Sequence, residues 1–314
     1  MNGTQPSRDE LRPARRTVLA AVGTATAVGL AGCLGGGDDT GGDDENGEND
    51  ENGASGDDHP DDPETAFELA GDGGDSFRQW VIPDNPIESG DSLEHIIRYE
   101  DFNVAAEQNW ESLVAIRDQL GYDVLGVDPE TIAGELLVGD PEGDRSLQVI
   151  LGSFDVDTVV AFFEEGDRVV DGEYGDYTVF EPSGDQYEVA VGPDAIVATP
   201  LYERYIDAHA GEADRLEDTD EDVSLLFDLL PRGLQTSVYR RPDMAEVAVM
   251  GDTDVEINHD DDQLRAVRTF VYESEDDASL DHATETVSNT VGEENVLDGE
   301  HDGRVAMVEY LIDL

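Results

Sequence analysis

The sequence has no lysine. All 17 basic side chains are arginine, and they face 77 acidic ones, so the 314-residue chain carries a formal net charge of −60. Beyond the N-terminus the arginines are scattered, which leaves no basic face to neutralise phosphates and excludes nucleic acid as a partner. An anionic membrane surface repels the chain for the same reason. Cysteine occurs once, at Cys33, so an intramolecular disulfide is excluded. Catalytic signatures are missing too: there is no G-x-S-x-G elbow, no H-E-x-x-H, no Walker A loop and no G-x-G-x-x-G after a strand. No enzymatic activity and no cofactor are expected. Disorder throughout is excluded as well, because hydrophobic residues make up 38% of the chain and fall in periodic runs.

What is present begins with an address. Residues 1–33 read as a targeting segment and stand outside any fold reasoning. Arg8, Arg12, Arg15 and Arg16 precede an uncharged run of 14 residues from Thr17 to Leu30. A spanning helix needs about 20 apolar residues, so this run is the core of a signal peptide. Arg15-Arg16 before Thr17-Val18-Leu19 resembles the twin-arginine export motif, although Val18 stands where Phe is common and no Lys follows Leu19. The run ends in Leu30-Ala31-Gly32-Cys33, which resembles a lipobox. Cys33 is therefore expected to carry lipid and to become the mature N-terminus. A two-chain lipid anchors durably where one acyl chain does not. The membrane is then a partner through Cys33, and the expected location is the outer, extracellular face of the cell membrane. A lipidated Cys33 also leaves no thiol for nucleophilic or metal chemistry.

Residues 34–66 are mostly Gly, Asp, Glu and Asn and read as a self-repelling, disordered tether. Residues 67–314 form the globular part. The pattern predicts strands at Leu93–Tyr99, Leu136–Val138, Leu147–Leu151, Tyr177–Phe180, Tyr187–Val191, Ala195–Ala198, Gln235–Tyr239, Glu246–Met250, Leu264–Tyr272 and Arg304–Ile312. Helices are predicted at Trp110–Leu120 with Gly121 as a stop, after Asp155 with Gly166 as a stop, from Thr199-Pro200 to Gly211, at Val223–Leu230, and from Ser279 to Val291. A short helix starts at Asp128-Pro129. Hairpins mixed with crossover helices imply an α+β fold, with antiparallel-rich mixed sheets and helices packed on one face. The segments SLQVILGSFDVDTVVAFFEE and LRAVRTFVYESEDDASLDHATETV share a strand–helix–strand plan, which suggests a weak internal duplication.

Candidate chemistry is sparse. The histidines His59, His95, His209, His259, His282 and His301 show no metal-ligand spacing. His209 lies near Glu212 and Asp214, and His282 one turn before Glu285, but surface histidines among abundant acids are the commoner case, and no metal site is expected. Asp252, Asp254, Glu256 and Asn258 alternate as in a calcium loop, yet Ile257 occupies the position where the turn needs Gly. The alternation fits a strand with one wet face, followed by a hairpin tip at Asp260–Asp262. Glu212 to Asp222 reads as a solvated acidic loop. Tyr202, Tyr205, Trp80 and Trp110 could line a ligand cleft, but core packing is the simpler role for them.

With its export motif, lipobox, acidic tether and acidic, lysine-free body, the chain resembles the twin-arginine-exported lipoproteins of haloarchaea. In molar salt the Debye length is only ~3 Å, so a charge this large barely repels itself. The segments LGVDPETI, GSFDVDTVVAFFE, GDYTVFE, EVAVGPDAIVAT and YIDAHAGEADRLEDTDEDVSLLFDLL look like a recurring haloarchaeal domain, and the resemblance brings no catalytic residue with it. It implies a lipid-anchored cell-surface protein with a non-catalytic binding or envelope-interaction role, its partner an envelope protein or a small ligand. A solute-binding lipoprotein feeding a transporter and a surface hydrolase are the alternatives.

Overall fold

The computed structural model describes residues 67–83, 95–139, 147–182, 187–240, 246–259 and 262–314. Arg15, Arg16, Leu30, Ala31, Gly32, Cys33 and the whole tether lie outside the described residues.

The strands are β1 (His95–Asp101), β2 (Ile132–Gly139), β3 (Leu147–Gly152), β4 (Val170–Tyr174), β5 (Tyr177–Phe180), β6 (Val189–Val191), β7 (Ala195–Ala198), β8 (Gln235–Arg240), β9 (Val247–Asn258), β10 (Gln263–Tyr272), β11 (Val296–Asp302) and β12 (Val305–Asp313). They form one 12-stranded sheet in the order β11-β12-β10-β9-β8-β1-β2-β3-β7-β6-β5-β4. Every neighbouring pair is antiparallel. The fold is α+β on an antiparallel sheet. The helices are α1 (Phe102–Glu107), α2 (Glu111–Gln119), α3 (Val156–Glu165), α4 (Tyr202–Ala210), α5 (Leu216–Thr219), α6 (Glu221–Leu229) and α7 (Leu280–Val291).

The sheet is built twice over. The meander β1-β2-β3 is followed by α3 and then by strands that return to lay β7 against β3. The meander β8-β9-β10 is followed by α7 and by a hairpin that lays β12 against β10. The halves meet where β1 pairs with β8, with Ile97 opposite Val238. The strand–helix segments that look alike in sequence thus hold equivalent places, β3-α3 and β10-α7.

Local chemistry explains several helix ends. Asp155 caps α3 by accepting from the Thr158 amide at 3.3 Å. Ser279 caps α7 by accepting from the His282 amide at 3.2 Å, and Asp220 caps α6 in the same way. Gly211 ends α4 in the left-handed region at φ +73°. Gly121 does not stop α2. The chain continues through a π-turn, Leu120–Leu125, to Gly126 at φ +69°. Gly121 has a packing role instead, because a Cβ there would come within 2.8 Å of the Pro129 backbone.

Alternate strand residues feed two faces. One face carries Ile150, Val189, Val191 and Ile196 under α1–α3, and Ala266, Phe270, Ala306 and Val308 under α7. The opposite face carries Val149, Ala190, Val197, Val249, Val267 and Met307, covered by α4 and α6. Helices therefore cover both faces rather than the one that the pattern predicts, because strand residues on both sides of the sheet are apolar. On that second face, residues 67–83 act as a strap. Phe77, Trp80, Val81 and Ile82 are buried in it, and each such apolar side chain contributes roughly 1.5–3 kcal/mol. The Glu68 amide donates to Glu300 on β11 at 2.9 Å. Phe77 packs against Tyr99 of β1 and Phe227 of α6, and Trp80 stacks on His209 of α4 with ring centroids 4.0 Å apart. The strap so bridges both halves of the sheet.

Candidate functional site

Between the part of the first face under α1–α3 and the part under α7, the sheet floor is polar. Two cross-strand rows make up this floor. In one, register places Asp254 (β9) opposite Gln235 (β8), Gln235 opposite Glu100 (β1), and Glu100 opposite Glu135 (β2). In the other, Arg268 (β10) faces Asp252 (β9), Asp252 faces Ser237 (β8), Ser237 faces Arg98 (β1), Arg98 faces Leu137 (β2), and Leu137 faces Gln148 (β3). Four carboxylates thus share the floor with two guanidinium groups.

The Arg268 end is saturated. Arg268 donates to both oxygens of Asp252, at 2.6 and 3.0 Å, a charge-assisted fork. The Tyr310 hydroxyl donates to the same carboxylate at 3.2 Å, and the Arg268 guanidinium lies over the Tyr310 ring at 5.7 Å. Burial alone would lower the Arg268 pKa, but the charge of Asp252 reverses this and holds it above the usual range.

The Glu100–Glu135 end is not saturated. Glu100 is 1% exposed and Glu135 2%. The Gln148 amide donates to Glu135 at 2.6 Å. Arg98 lies 3.3 Å from Glu100 Oε1 as an ion pair and donates to Gln235 Oε1 at 2.6 Å. Neither oxygen of Glu100 accepts a hydrogen bond. Burial, reinforced by the charge of Glu100, pushes Glu135 up to about 7. Burial also raises Glu100, against the pull of Arg98. Asp254 is pushed up to about 7 by burial and by the charge of Asp252. Like charges directly opposite across strands are destabilising, and a buried charge without a partner is costly, so this end of the floor is under electrostatic stress. Among the described residues no group of three or more His, Cys, Asp or Glu side chains comes together as a metal cage. What the pair can do is share a proton or hold one small cation.

The residues singled out in the sequence do not converge here, apart from Asp252 and Asp254. The face of β9 expected to be wet belongs to this floor, where Asp254 is buried and Asp252 half-buried. Glu256 points to Arg265 at 3.3 Å, and Asp260 and Asp261 lie outside the described residues. Glu212 to Asp222 resolves into helix caps and ion pairs. Glu217 bonds Arg78, Asp222 accepts from Arg304 at 2.7 Å, and a depression of about 440 Å³ lies beside Arg78, Arg215 and Glu217. His209 Nε2 is 2.6 Å from Asp194 Oδ2 rather than from Glu212 or Asp214, and the Tyr177 hydroxyl donates to the same carboxylate at 2.6 Å. His282 sits 3.5 Å from the Tyr272 hydroxyl. Trp80 and Tyr205 belong to the core under α4 and α6, and Tyr202 packs against it, whereas Trp110 packs into the core on the other side of the sheet. The four aromatics therefore share no cleft.

Nothing in the sequence singles out Arg98, Glu100 or Arg268. Glu135 carries the one usable signal, an acid inside the otherwise apolar strand IAGELLVG.

No protein-family model and no curated protein matches the chain. Among solved structures, crystal forms I, III and IV of TP0453 are similar at 7%, 8% and 9% identity, with TM-scores of 0.43, 0.40 and 0.38. The matches cover 73%, 72% and 71% of this chain and 93%, 95% and 90% of theirs. A likeness this distant carries neither fold nor function across.

Proposed function

We propose that the protein is a lipid-anchored, non-catalytic binding or envelope-interaction protein on the outer face of a halophilic archaeal membrane. The order of segments in the sequence carries this reading: Arg15-Arg16, a short uncharged run, Leu30-Ala31-Gly32-Cys33, and a tether at 34–66 that hands over to the folded part at residue 67. A tether of 33 residues has a root-mean-square reach of roughly 30 Å as a flexible coil, enough to hold a domain clear of the headgroups. The burial of Glu100 and Glu135 favours a binding role over the surface hydrolase, since a polymer substrate would have to reach carboxylates that solvent barely touches.

The test is Cys33→Ser in the native host. Membrane fractionation and intact mass of the mature chain are the readouts. We expect the variant to leave the membrane fraction or to accumulate as an unprocessed precursor. Unchanged fractionation and unchanged mass would overturn the anchor.

A further inference from the structure

We infer that Glu100 and Glu135 form a binding site for one partly dehydrated alkali cation, K⁺ or Na⁺, in the middle of the sheet. This inference does not depend on the anchoring reading.

Three observations carry it. First, the register puts the two carboxylates directly opposite each other on β1 and β2, where like charges repel. Second, both oxygens of Glu100 are buried and accept no hydrogen bond. Buried carboxylate oxygens normally find donors, and here the Arg98 guanidinium, 3.3 Å from Oε1, serves only as an ion pair. Third, the neighbouring charges do not balance. Asp252 is committed to Arg268, and Gln148 brings Glu135 only a neutral amide. Arg98 therefore faces Glu100, Glu135 and Asp254, leaving two negative charges uncompensated when all three carboxylates ionise.

The donor set fits a monovalent hard cation. Carboxylate oxygens suit alkali and alkaline-earth ions, but the described residues bring no third acidic side chain into one ligand group with the pair, which falls short of the all-oxygen cage of six or more ligands that a divalent calcium ion takes. A single positive charge between the pair would oppose the repulsion and add to the one ion pair that Arg98 gives Glu100.

The test uses the full chain at pH 8 and constant molar ionic strength, with thermal melts in KCl, NaCl and choline chloride. Choline screens charge but, as a bulky quaternary ammonium ion, is no compact hard cation for carboxylate oxygens. We expect the wild type to melt higher in KCl or NaCl than in choline chloride, and Glu100→Gln to lose roughly 3–8 °C of that gain. Glu135→Gln should behave alike and serves if the first variant does not fold. Crystals of the wild type grown in RbCl should show anomalous scattering between Glu100 and Glu135. Equal alkali responses in wild type and variants would overturn the site. So would an absence of Rb⁺ at the pair, which would leave a shared proton as its only occupant.

Discussion

At the scale of single residues, the buried carboxylates make a prediction whose sign follows from linkage. Glu135 and Asp254 ordinarily titrate near 4.5 and 3.8, and folding lifts both to about 7. The native state therefore holds their protons more tightly than the unfolded chain does. The stability they contribute is complete below pH 4 and is lost as the pH rises through 7. In molar choline chloride, where no alkali cation competes with the proton, we expect denaturant-derived stability to fall between pH 4 and pH 7 and then level. Asp254→Asn and Glu135→Gln should each flatten that fall, and Glu135→Gln keeps an oxygen to accept from Gln148. A pH profile of unchanged slope in both variants would show that these groups titrate normally in the native state.

Residue chemistry also decided what the sequence disclosed. Caps such as Asp155, Ser279 and Asp128 act within three or four residues of themselves, so their helices were legible. The polar floor was not. A strand that alternates polar and apolar residues looks the same whether its polar face meets water or meets another polar strand. Asp252 and Asp254 were thus read as solvated, and nothing local announces that Arg268 and Gln235 lie opposite them.

At the scale of elements, short range and low contrast explain the omissions. Helix α1 is six residues long and begins where β1 ends, with Asp101 closing one and capping the other by accepting from the Asn103 and Val104 amides. No gap in the pattern separates them. Strands β4 and β11 are polar and largely exposed, so they lack the apolar alternation that marks a strand. The strap is illegible for a different reason: two of its partners, His209 and Phe227, are far away in sequence.

The strap also makes a measurable claim. It passes close under α6, where a Cβ on Gly74 would come within 2.3 Å of the Phe227 carbonyl oxygen. Backbone cannot yield as a side-chain tip can. We expect Gly74→Ala to cost roughly 1–3 kcal/mol in equilibrium unfolding. Gly172→Ala, at a position with nothing within 4 Å, should stay within about 0.5 kcal/mol of the wild type. Equal effects at the two positions would show that the strap is not held against α6.

At the scale of the whole molecule, the net charge of −60 acts on everything at once. Among the described acids, Asp171 and Glu173 sit on the edge strand β4, and Asp298, Glu300 and Asp302 on the opposite edge β11. Charges there oppose edge-to-edge pairing with other chains. The same charges oppose compaction in dilute buffer and lose that effect when the screening length shrinks to ~3 Å in molar salt. We expect the melting temperature to drop steeply as NaCl is lowered from molar to millimolar concentration. A flat dependence would refute the proposed adaptation to high salt.

The pairing of β1 with β8 has a kinetic consequence. The two strands that join the halves lie at 95–101 and 235–240, and Phe77 of the strap waits for Phe227, roughly 150 residues later. At a synthesis rate of about 5–20 residues per second, the apolar strap leaves the ribosome some 8–30 s before its cover exists. The strap therefore stays without that cover until residues 221–240 have been made, and contacts of such long sequence separation slow the final assembly. The joining of the two halves is thus timed by the appearance of α6 and β8, not by that of the strap and β1.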